Sequence, residues 1–327
     1  MSRNRGLKLG VLAGLLAVVL VFGLFQPAAA QKQYTVYFVV HGGIGHPFWK
    51  VVEQGALDAD AQLPDVRVIY TGPDPYNFEQ FVQLVEAAIA ARPDGLIVTI
   101  TSNVALDEPL RRAMKAGIAV IAVNAQDPRP VGEKIPYLTY VGEDHYLVGQ
   151  IVARESMNRV DVTRAVFGNH HPGAFHIEER GQGFIDEFTA AGIPAEQIDV
   201  TADPVLASQI LVDYIRAHPD TNVVMPGSVE EGETFAELAE QVGIKLGPDG
   251  VIISSIDYSP RVLELMDQGK VAFAVDQEQY LQGYMTVHFM YAFLRFGLLP
   301  PPIVPTGPGI VTKEQIQLVK ELAGKYR

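Results

Sequence analysis

The chain has 327 residues, of which 48% are hydrophobic and 19% charged, which suits a folded protein with two lobes and excludes extended disorder. Its formal net charge of −13 offers no attraction to nucleic acid or to an anionic membrane surface, so we expect no nucleic-acid partner. The absence of Cys excludes thiol catalysis, Cys-ligated zinc, iron–sulfur clusters, disulfides and a lipid-modified Cys anchor.

The segment 1–30 has the three parts of a secretory signal peptide. A basic start that contains Arg3 and Arg5 is followed by an uncharged apolar run over 9–25 and by Ala at 28–30. The run is about as long as the shortest membrane-spanning helices, so an uncleaved membrane anchor is the alternative. The small residues directly after the run favour cleavage. The segment therefore predicts a protein that is periplasmic or otherwise exported, and soluble after cleavage.

The first half of the remaining chain alternates short apolar runs with segments of helical periodicity. Helices are predicted at 47–61, where Pro47 suits the first turn, at 78–89 with Asn77 as its N-cap, and at 106–116. Strands are predicted at 34–40, 66–70, 95–100 and 119–123. These strands are nearly continuous apolar runs, as expected for a parallel sheet that helices cover on both faces.

The second half repeats this alternation after a looser, Pro-containing stretch at 124–138. Strands are predicted at 165–168, 198–201, 222–225, 251–255 and 271–275, and helices at 146–158, 177–191, 208–217, 230–242, 260–267 and 280–296. A Pro-rich turn at 300–302 precedes a short tail. Two successive halves of similar size predict an α/β protein with two parallel sheets, one in each lobe. Such sheets bind ligands beyond the carboxyl ends of their strands, so functional residues are expected in those loops.

The loop after the first predicted strand combines glycines with two bulky aromatic residues, Phe48 and Trp49. Glycines let the backbone approach a ligand closely, and flat aromatic faces suit the apolar faces of a sugar ring. Core packing is the alternative role for an aromatic pair. The spacing of the glycines does not match a dinucleotide-binding or Walker loop, which disfavours phosphate binding.

Polar side chains follow three other predicted strands. Asn124 comes after 119–123, Asp257 after 251–255 and Gln277 after 271–275. Amide and carboxylate groups at these ends can exchange hydrogen bonds with neutral hydroxyl groups. In a site that closes around its ligand, each buried polar group needs such a partner. The alternative for Asn124 is that it only terminates a strand.

Arg180 stands near the predicted N-terminus of the helix at 177–191. A cation is unfavourable there, which suggests that its guanidinium group donates to ligand oxygens. The alternative is a surface ion pair with Glu178 or Glu179.

The remaining chemistry-bearing residues indicate neither catalysis nor a metal site. No helical metal-binding spacing and no nucleophile motif is present, so we expect no enzyme, no metal and no cofactor. Glu230 and Glu231 are adjacent and are expected on a solvated helix face. A metal site remains the alternative to hydrogen-bonding or loop roles for the clustered histidines His41, His46, His170, His171 and His176.

An ordered series of short segments extends from residue 34 to about residue 311. They read GHPFW at 45–49, RPDGLIV at 92–98, AGIAVIAVN at 116–124, TYVGED at 139–144, RGQGF at 180–184, AHPD at 217–220, ID at 256–257 and DQ at 276–277. In this series the chain resembles the periplasmic sugar-binding proteins of the ribose-binding type, the type I periplasmic binding proteins that serve ABC importers.

The resemblance implies two Rossmann-like lobes joined by a three-strand hinge that closes on the ligand. It implies an N-terminal lobe of 31–142 plus 278–306 and a C-terminal lobe of 143–277 plus 307–327. The implied ligand contacts are His46, Phe48, Trp49, Asn124, Arg180, Ser228, Asp257 and Gln277. The sequence departs from the ribose binders at His46, where Asn is usual, at Asn124, where Asp is usual, and at Ser228, where Asn is usual. These departures argue against ribose itself.

The function that follows is capture of a sugar or polyol by a monomer, which delivers it to the membrane permease of an ABC importer. The alternative is a ligand-sensing component that binds an autoinducer-like sugar derivative for a receptor. Transcription regulators of the same fold need a DNA-binding segment in front, and here the predicted signal peptide takes that place.

Overall fold

The computed structural model describes residues 33–327, so the predicted signal peptide at 1–30 and its anchor alternative lie outside the described residues. None of the helices in the described part of the chain is long and apolar enough to cross a membrane. Strands and helices alternate along this part, as the sequence pattern predicts.

Six strands form the first sheet, in the order β11-β5-β4-β3-β1-β2, and all pairs in it are parallel. Its strands are β1 Tyr34–Val39, β2 Val66–Thr71, β3 Gly95–Val98, β4 Ala119–Val123, β5 Tyr140–Gly142 and β11 Ile303–Pro305. The helices that follow its strands are α1 Pro47–Gln62, α2 Phe78–Ala90 and α3 Asn103–Lys115. Asn77 caps α2 as predicted, because its Oδ1 accepts a hydrogen bond of 2.8 Å from the Gln80 backbone N–H.

The second sheet has the order β12-β10-β9-β8-β6-β7, parallel except that β12 runs antiparallel to β10. Its strands are β6 Ala165–Asn169, β7 Ala195–Asp199, β8 Val223–Met225, β9 Ile252–Ile256, β10 Phe273–Asp276 and β12 Gly309–Val311. The remaining helices are α4 His145–Met157, α5 Phe175–Ala190, α6 Pro204–Ala217, α7 Val229–Gln241, α8 Pro260–Asp267, α9 Gln279–Phe296 and α10 Ile316–Val319. The two sheets with flanking helices confirm the predicted two-lobed α/β fold.

Four strands depart from the sequence-based prediction. The prediction of β7 at 198–201 is wrong in position, because the strand ends at Asp199. The other three have no counterpart in the prediction: β5 precedes the helix predicted at 146–158, and β11 and β12 lie where only a turn and a tail are predicted. Each has three residues, too few to show a period, and each is stabilised by pairing with a distant strand.

The two faces of each sheet carry separate apolar cores. In β3, for example, Ile97 packs towards α1 and α9, whereas Leu96 and Val98 pack towards α2 and α3. The second sheet is likewise covered on both sides, and the tail helix α10 contributes Ile316 to one of its cores. Burial on both faces explains why the strands are nearly continuous apolar runs.

Three short segments of the described chain connect the two sheets. They follow β5 at 143–144, β10 at 277–278 and β11 at 306–308. These crossings agree with the three-strand hinge that the resemblance implies, while the residue limits assigned to each lobe stay a prediction. All three segments leave the carboxyl end of a strand, which places hinge and strand-end loops side by side.

Each lobe contains a close helix pair built on two glycines. A Cβ atom at Gly283 of α9 would lie 2.0 Å from the Val52 carbonyl oxygen of α1, and one at Gly55 would lie 2.2 Å from the Tyr280 carbonyl oxygen. Gly149 of α4 and Gly183 of α5 make the same kind of approach in the second lobe. Backbone meets backbone at these points, so no side chain can rotate away to make room.

We predict that Gly283→Ala lowers the free energy of unfolding by about 1–3 kcal/mol, because α1 and α9 must separate to admit the methyl group. Chemical denaturation measures the change. Gly232→Ala is the matched control: a Cβ there would meet Ser255 Oγ at 3.5 Å, an ordinary contact, and the higher helix propensity of Ala should leave stability unchanged or slightly raised. Equal losses for the two variants would contradict the close approach.

Candidate functional site

A cavity of about 710 Å³ lies at the carboxyl ends of the strands of both sheets. It is lined by residues that follow strands in each lobe, as expected for open parallel sheets. All of the sequence-predicted contact residues line this one cavity: His46, Phe48, Trp49, Asn124, Arg180, Ser228, Asp257 and Gln277. The fold therefore brings the whole predicted set together, and their contact with a ligand stays a prediction.

Phe48 and Trp49 serve the core and the cavity at once. Both are buried in the first lobe, and their rings meet edge to face with centroids 4.7 Å apart. A Cβ atom at Gly42 would lie 1.6 Å from the Trp49 indole nitrogen, so only glycine leaves room for this indole. The two roles considered for the aromatic pair, packing and ring contact, are therefore compatible.

His46 and Ser228, two of the departures from the ribose binders, cap helices from opposite lobes. His46 Nδ1 accepts a hydrogen bond of 3.2 Å from the Phe48 backbone N–H at the start of α1. Ser228 Oγ accepts one of 3.3 Å from the Glu231 backbone N–H at the start of α7. The other ring nitrogen of His46 lies 2.8 Å from Glu230 Oε2, which joins the two lobes beside the cavity.

The expected solvated face at Glu230 and Glu231 is wrong. Glu230 lines the cavity and meets His46, and the Glu231 side chain turns inward with only 1% of the residue exposed. Glu231 Oε2 accepts a hydrogen bond of 2.8 Å from the Gly227 backbone N–H, which holds the loop before α7. Burial raises the pKa of Glu231 to about 8. The sequence pattern missed this because α7 starts at Val229 and its first turn faces the loop.

Arg180 lies in the second turn of α5, since the helix starts at Phe175 and not at the predicted residue 177. Its ion-pair partner is not Glu178 or Glu179 but Glu143, at the hinge, whose Oε1 accepts a hydrogen bond of 2.5 Å from Arg180 Nη2. The pair is buried, with 3% and 0% of the side chains exposed. Although burial opposes it, Arg180 and His145 hold the pKa of Glu143 below its ordinary value.

Asn124 is held in an unusual backbone conformation by the same network. Its φ angle is +61°, in the left-handed region that Asn tolerates better than most residues. The Asn124 carbonyl oxygen lies 2.7 Å from His145 Nε2 and 2.9 Å from the Tyr140 hydroxyl. Its side-chain amide donates to Gln282 Oε1 at 3.2 Å. These contacts fix Asn124 in the wall of the cavity, after the end of β4.

Asp257 and Gln277 form a buried pair at the ends of β9 and β10. The Gln277 backbone N–H donates to Asp257 Oδ1 at 3.1 Å, and its side-chain amide donates to Oδ2 at 2.5 Å. Burial raises the pKa of Asp257 well above its ordinary value, and the nearby carboxyl groups of Glu143 and Asp276 add to this. Gln277 Oε1 has no hydrogen-bond partner among residues 33–327.

Tyr76 and the hinge pair Glu143 and His145 are parts of the site that the sequence pattern does not indicate. Tyr76 lines the cavity from the loop after β2, and its ring stacks on His171 of the other lobe at 4.2 Å. Glu143 and His145 follow β5, whose three residues show no period of their own. A charged residue and a histidine directly after such a strand were the available signal. In the described part of the chain, no group of three or more His, Asp or Glu is arranged to hold a metal ion.

We predict that Glu143→Gln lowers the free energy of unfolding by about 3–5 kcal/mol, because it leaves the buried Arg180 guanidinium without a counter-charge. Replacing both partners, as Glu143→Leu with Arg180→Met, should cost less than the single change. Glu264→Gln, in an exposed pair with Arg261, is the control and should change stability by less than about 1 kcal/mol. Denaturant titration measures the free energy of unfolding of the three variants. If Glu143→Gln loses no more of it than Glu264→Gln, the buried pair is not important for stability.

Comparison with known proteins places this geometry in a family. The chain is 28% identical over 298 residues to the xylose/arabinose-binding protein of Sulfolobus acidocaldarius, covering 83% of this chain and 73% of the relative. It is 26% identical to a structure described as a periplasmic sugar-binding protein of an ABC sugar transporter from Legionella pneumophila. The TM-score is 0.74, and the match covers 84% of this chain and 99% of the other. The solute-binding protein of an ABC transporter from Agrobacterium vitis, bound to α-D-tagatopyranose, is 25% identical. The TM-score is 0.79, and the match covers 87% of this chain and 96% of the other. The periplasmic binding protein domain model matches residues 36–298, so the chain belongs to this family and is a binding protein rather than an enzyme.

Proposed function

We propose that the protein captures a sugar or polyol in the cavity and delivers it to the membrane permease of an ABC importer. The observation that carries this proposal is the joint lining of the cavity by Phe48 and Trp49 on one side and by Arg180, Asp257 and Gln277 on the other. Apolar ring faces and hydroxyl rims are the two chemical features of a sugar, and the cavity offers a partner for each.

The polar side of the cavity holds groups that are ready for a ligand. Arg180 Nε and Gln277 Oε1 are buried and have no partner among the described residues, whereas Arg180 Nη2 is tied to Glu143 and Gln277 Nε2 to Asp257. A fixed donor and a fixed acceptor that lack partners favour a bound molecule with hydroxyl groups, because an unpaired buried polar group is costly. The fixed geometry also lowers the entropy cost of binding.

The relatives support the class of ligand. The archaeal relative is named for xylose and arabinose, and the Agrobacterium vitis protein was solved with a ketohexose. His46 and Ser228 cap helices here, which fits a lining that differs from that of the ribose binders. Pentoses, hexoses and cyclic polyols are therefore the compounds to test first.

Delivery to an importer is favoured over the sensing role by the transporter assignment of the similar solved structures. In this proposal the signal segment directs export and the protein acts as a soluble monomer outside the cytoplasm. Residues 31–142 plus 278–306 form one lobe, and 143–277 plus 307–327 form the other. The closed, loaded form is the one that docks on the permease.

We expect a screen of pentoses, hexoses and cyclic polyols by thermal shift to identify a ligand that raises the melting temperature, since it binds only the folded state. Arg180→Ala and Asp257→Ala should each weaken binding of that ligand by more than about tenfold, or about 1.4 kcal/mol, in titration calorimetry. Arg216→Ala, on the exposed face of α6, is the control. Circular dichroism checks that each variant folds, because Arg180→Ala also leaves Glu143 unpaired. A complete panel without any response would remove the carbohydrate proposal.

We further expect the ligand to reduce the radius of gyration in small-angle X-ray scattering, because both lobes contribute lining residues and the hinge has three short segments. The change should be absent with a sugar that does not shift the melting temperature. Identical profiles with and without a bound ligand would argue against hinge closure.

A further inference from the structure

A cluster of histidines occupies the part of the cavity where the two lobes meet. His41 follows β1 in the first lobe, while His176 lies in the first turn of α5 in the second. The centroids of these two rings are 5.3 Å apart, and His176 is 5.2 Å from His145 of the hinge. His41 also meets the edge of Trp49 at 5.1 Å. The two rings thus lie between the aromatic side of the cavity and its hinge side.

His41 and His176 are buried polar side chains that lack partners. Only 5% of His41 and 6% of His176 is exposed, and both line the cavity. The Nδ1 atom of each has no hydrogen-bond partner within residues 33–327. Burying such a nitrogen without a partner costs free energy, which a ligand group at the same place would recover.

The other two cavity histidines of the second lobe are already engaged in packing. His171 stacks on Tyr76 with ring planes only 20° apart. His170 Nδ1 also lacks a hydrogen-bond partner among the described residues, but it faces the loop before α7, where a Cβ atom at Gly227 would lie 2.2 Å from it. His170 is also less buried than the other two, so His41 and His176 are the stronger candidates for ligand contact.

The electrostatic surroundings keep both rings uncharged. Burial lowers the pKa of His41 well below its ordinary value, and so do His171, His46 and His145 around it. Burial has the same effect on the pKa of His176, helped by His145, His41 and Arg180. Carboxyl groups also line the cavity, at Asp74, Asp203, Glu230 and Asp257, but none of them counteracts the lowered pKa of His41 or of His176. A neutral imidazole has one donor and one acceptor nitrogen, which matches a hydroxyl group.

We propose that His41 and His176, one from each lobe, are further ligand contacts that hydrogen-bond hydroxyl groups and select uncharged sugars or polyols over their acidic and amino derivatives. This inference rests on the proposed function and extends it to the charge class of the ligand. Neither a carboxylate nor an ammonium group would find a counter-charge on two neutral rings, and Arg180 is already paired with Glu143. Burying an unpaired charge of either sign beside these rings would cost free energy.

Binding should then weaken on acidification. An imidazole in an open, hydrated cleft titrates near its ordinary value of about 6.5, whereas in the closed cleft it stays neutral to lower pH. Closure therefore releases protons below about pH 6.5, and the affinity falls as the pH drops through that range. Above that range the two imidazoles are neutral in both the open and the closed cleft, so their protonation no longer changes the affinity.

The experiment uses the neutral sugar or polyol that gives the largest thermal shift, together with its uronic acid and amino-sugar counterparts. Titration calorimetry is done at about pH 7 and about pH 5.5, both below the pKa of Glu231. We expect His41→Leu and His176→Leu each to weaken binding of the neutral ligand by about tenfold or more at the higher pH. His41→Asn and His176→Asn keep a neutral donor and acceptor near Nδ1. They should bind within about threefold of the parent protein and lose part of the acid-induced weakening.

His218→Leu is the matched control, because His218 caps the C-terminal end of α6 and does not line the cavity. This variant should bind the neutral ligand as the parent protein does at both pH values. The melting temperature of each variant separates loss of fold from loss of contact, and the Asn variants keep the test valid if a Leu variant unfolds. Parent-like binding by the Leu variants, or tighter binding of the acidic sugar, would overturn this inference and leave the proposed function intact. Failure of every sugar and polyol to bind the parent protein would overturn both.

Discussion

The buried ion pair between Glu143 and Arg180 is the contact on which the rest of the site depends. Both charges are almost entirely withdrawn from water, so each needs the other and the hydrogen bonds around it. Glu143 lies in a hinge segment and Arg180 lies in α5 of the second lobe. The pair therefore connects the hinge to a side chain that lines the cavity. Through His145, which contacts both Glu143 and the Asn124 carbonyl, the same network reaches the end of β4 in the first lobe.

The strand ends and the hinge share a further feature, a left-handed backbone at residues other than glycine. Asn124 and Asp257 end β4 and β9, and Glu278 lies in the hinge segment after β10. Such conformations cost free energy and persist only where the surroundings enforce them. Here the enforcing contacts are the hydrogen bonds from His145 to Asn124, from Gln277 to Asp257 and from Gly307 to Glu278. The cavity lining is therefore preorganised, and hinge motion would move it as two fixed halves.

The scaffold below the site is built to keep these ends in place. Two-sided burial of each sheet and the glycine-based approach of α1 to α9 and of α4 to α5 leave little freedom for a helix to shift. The first turns of α1, α5 and α7 then present His46, His176 and Ser228 to one cavity. Rigid lobes with polar groups at their facing ends suit a protein that recognises a small hydroxylated molecule and releases it by opening.

The amino-acid sequence by itself determined the alternation of strands and helices, the two parallel sheets and the residues at their carboxyl ends, because apolar periodicity and turn residues are local signals. It placed Asn77 as a cap and indicated six residues that line the cavity, whereas His46 and Ser228 came from the family resemblance; the six are Phe48, Trp49, Asn124, Arg180, Asp257 and Gln277. Only the tertiary structure decided which residues contact one another over long distances in the chain. Arg180 pairs with Glu143, Glu231 turns inward, and the three-residue strands β5, β11 and β12 form only by pairing with strands far along the chain. Contacts between distant residues leave no period in the sequence, so burial and ion pairing at the hinge emerge only once both lobes have folded.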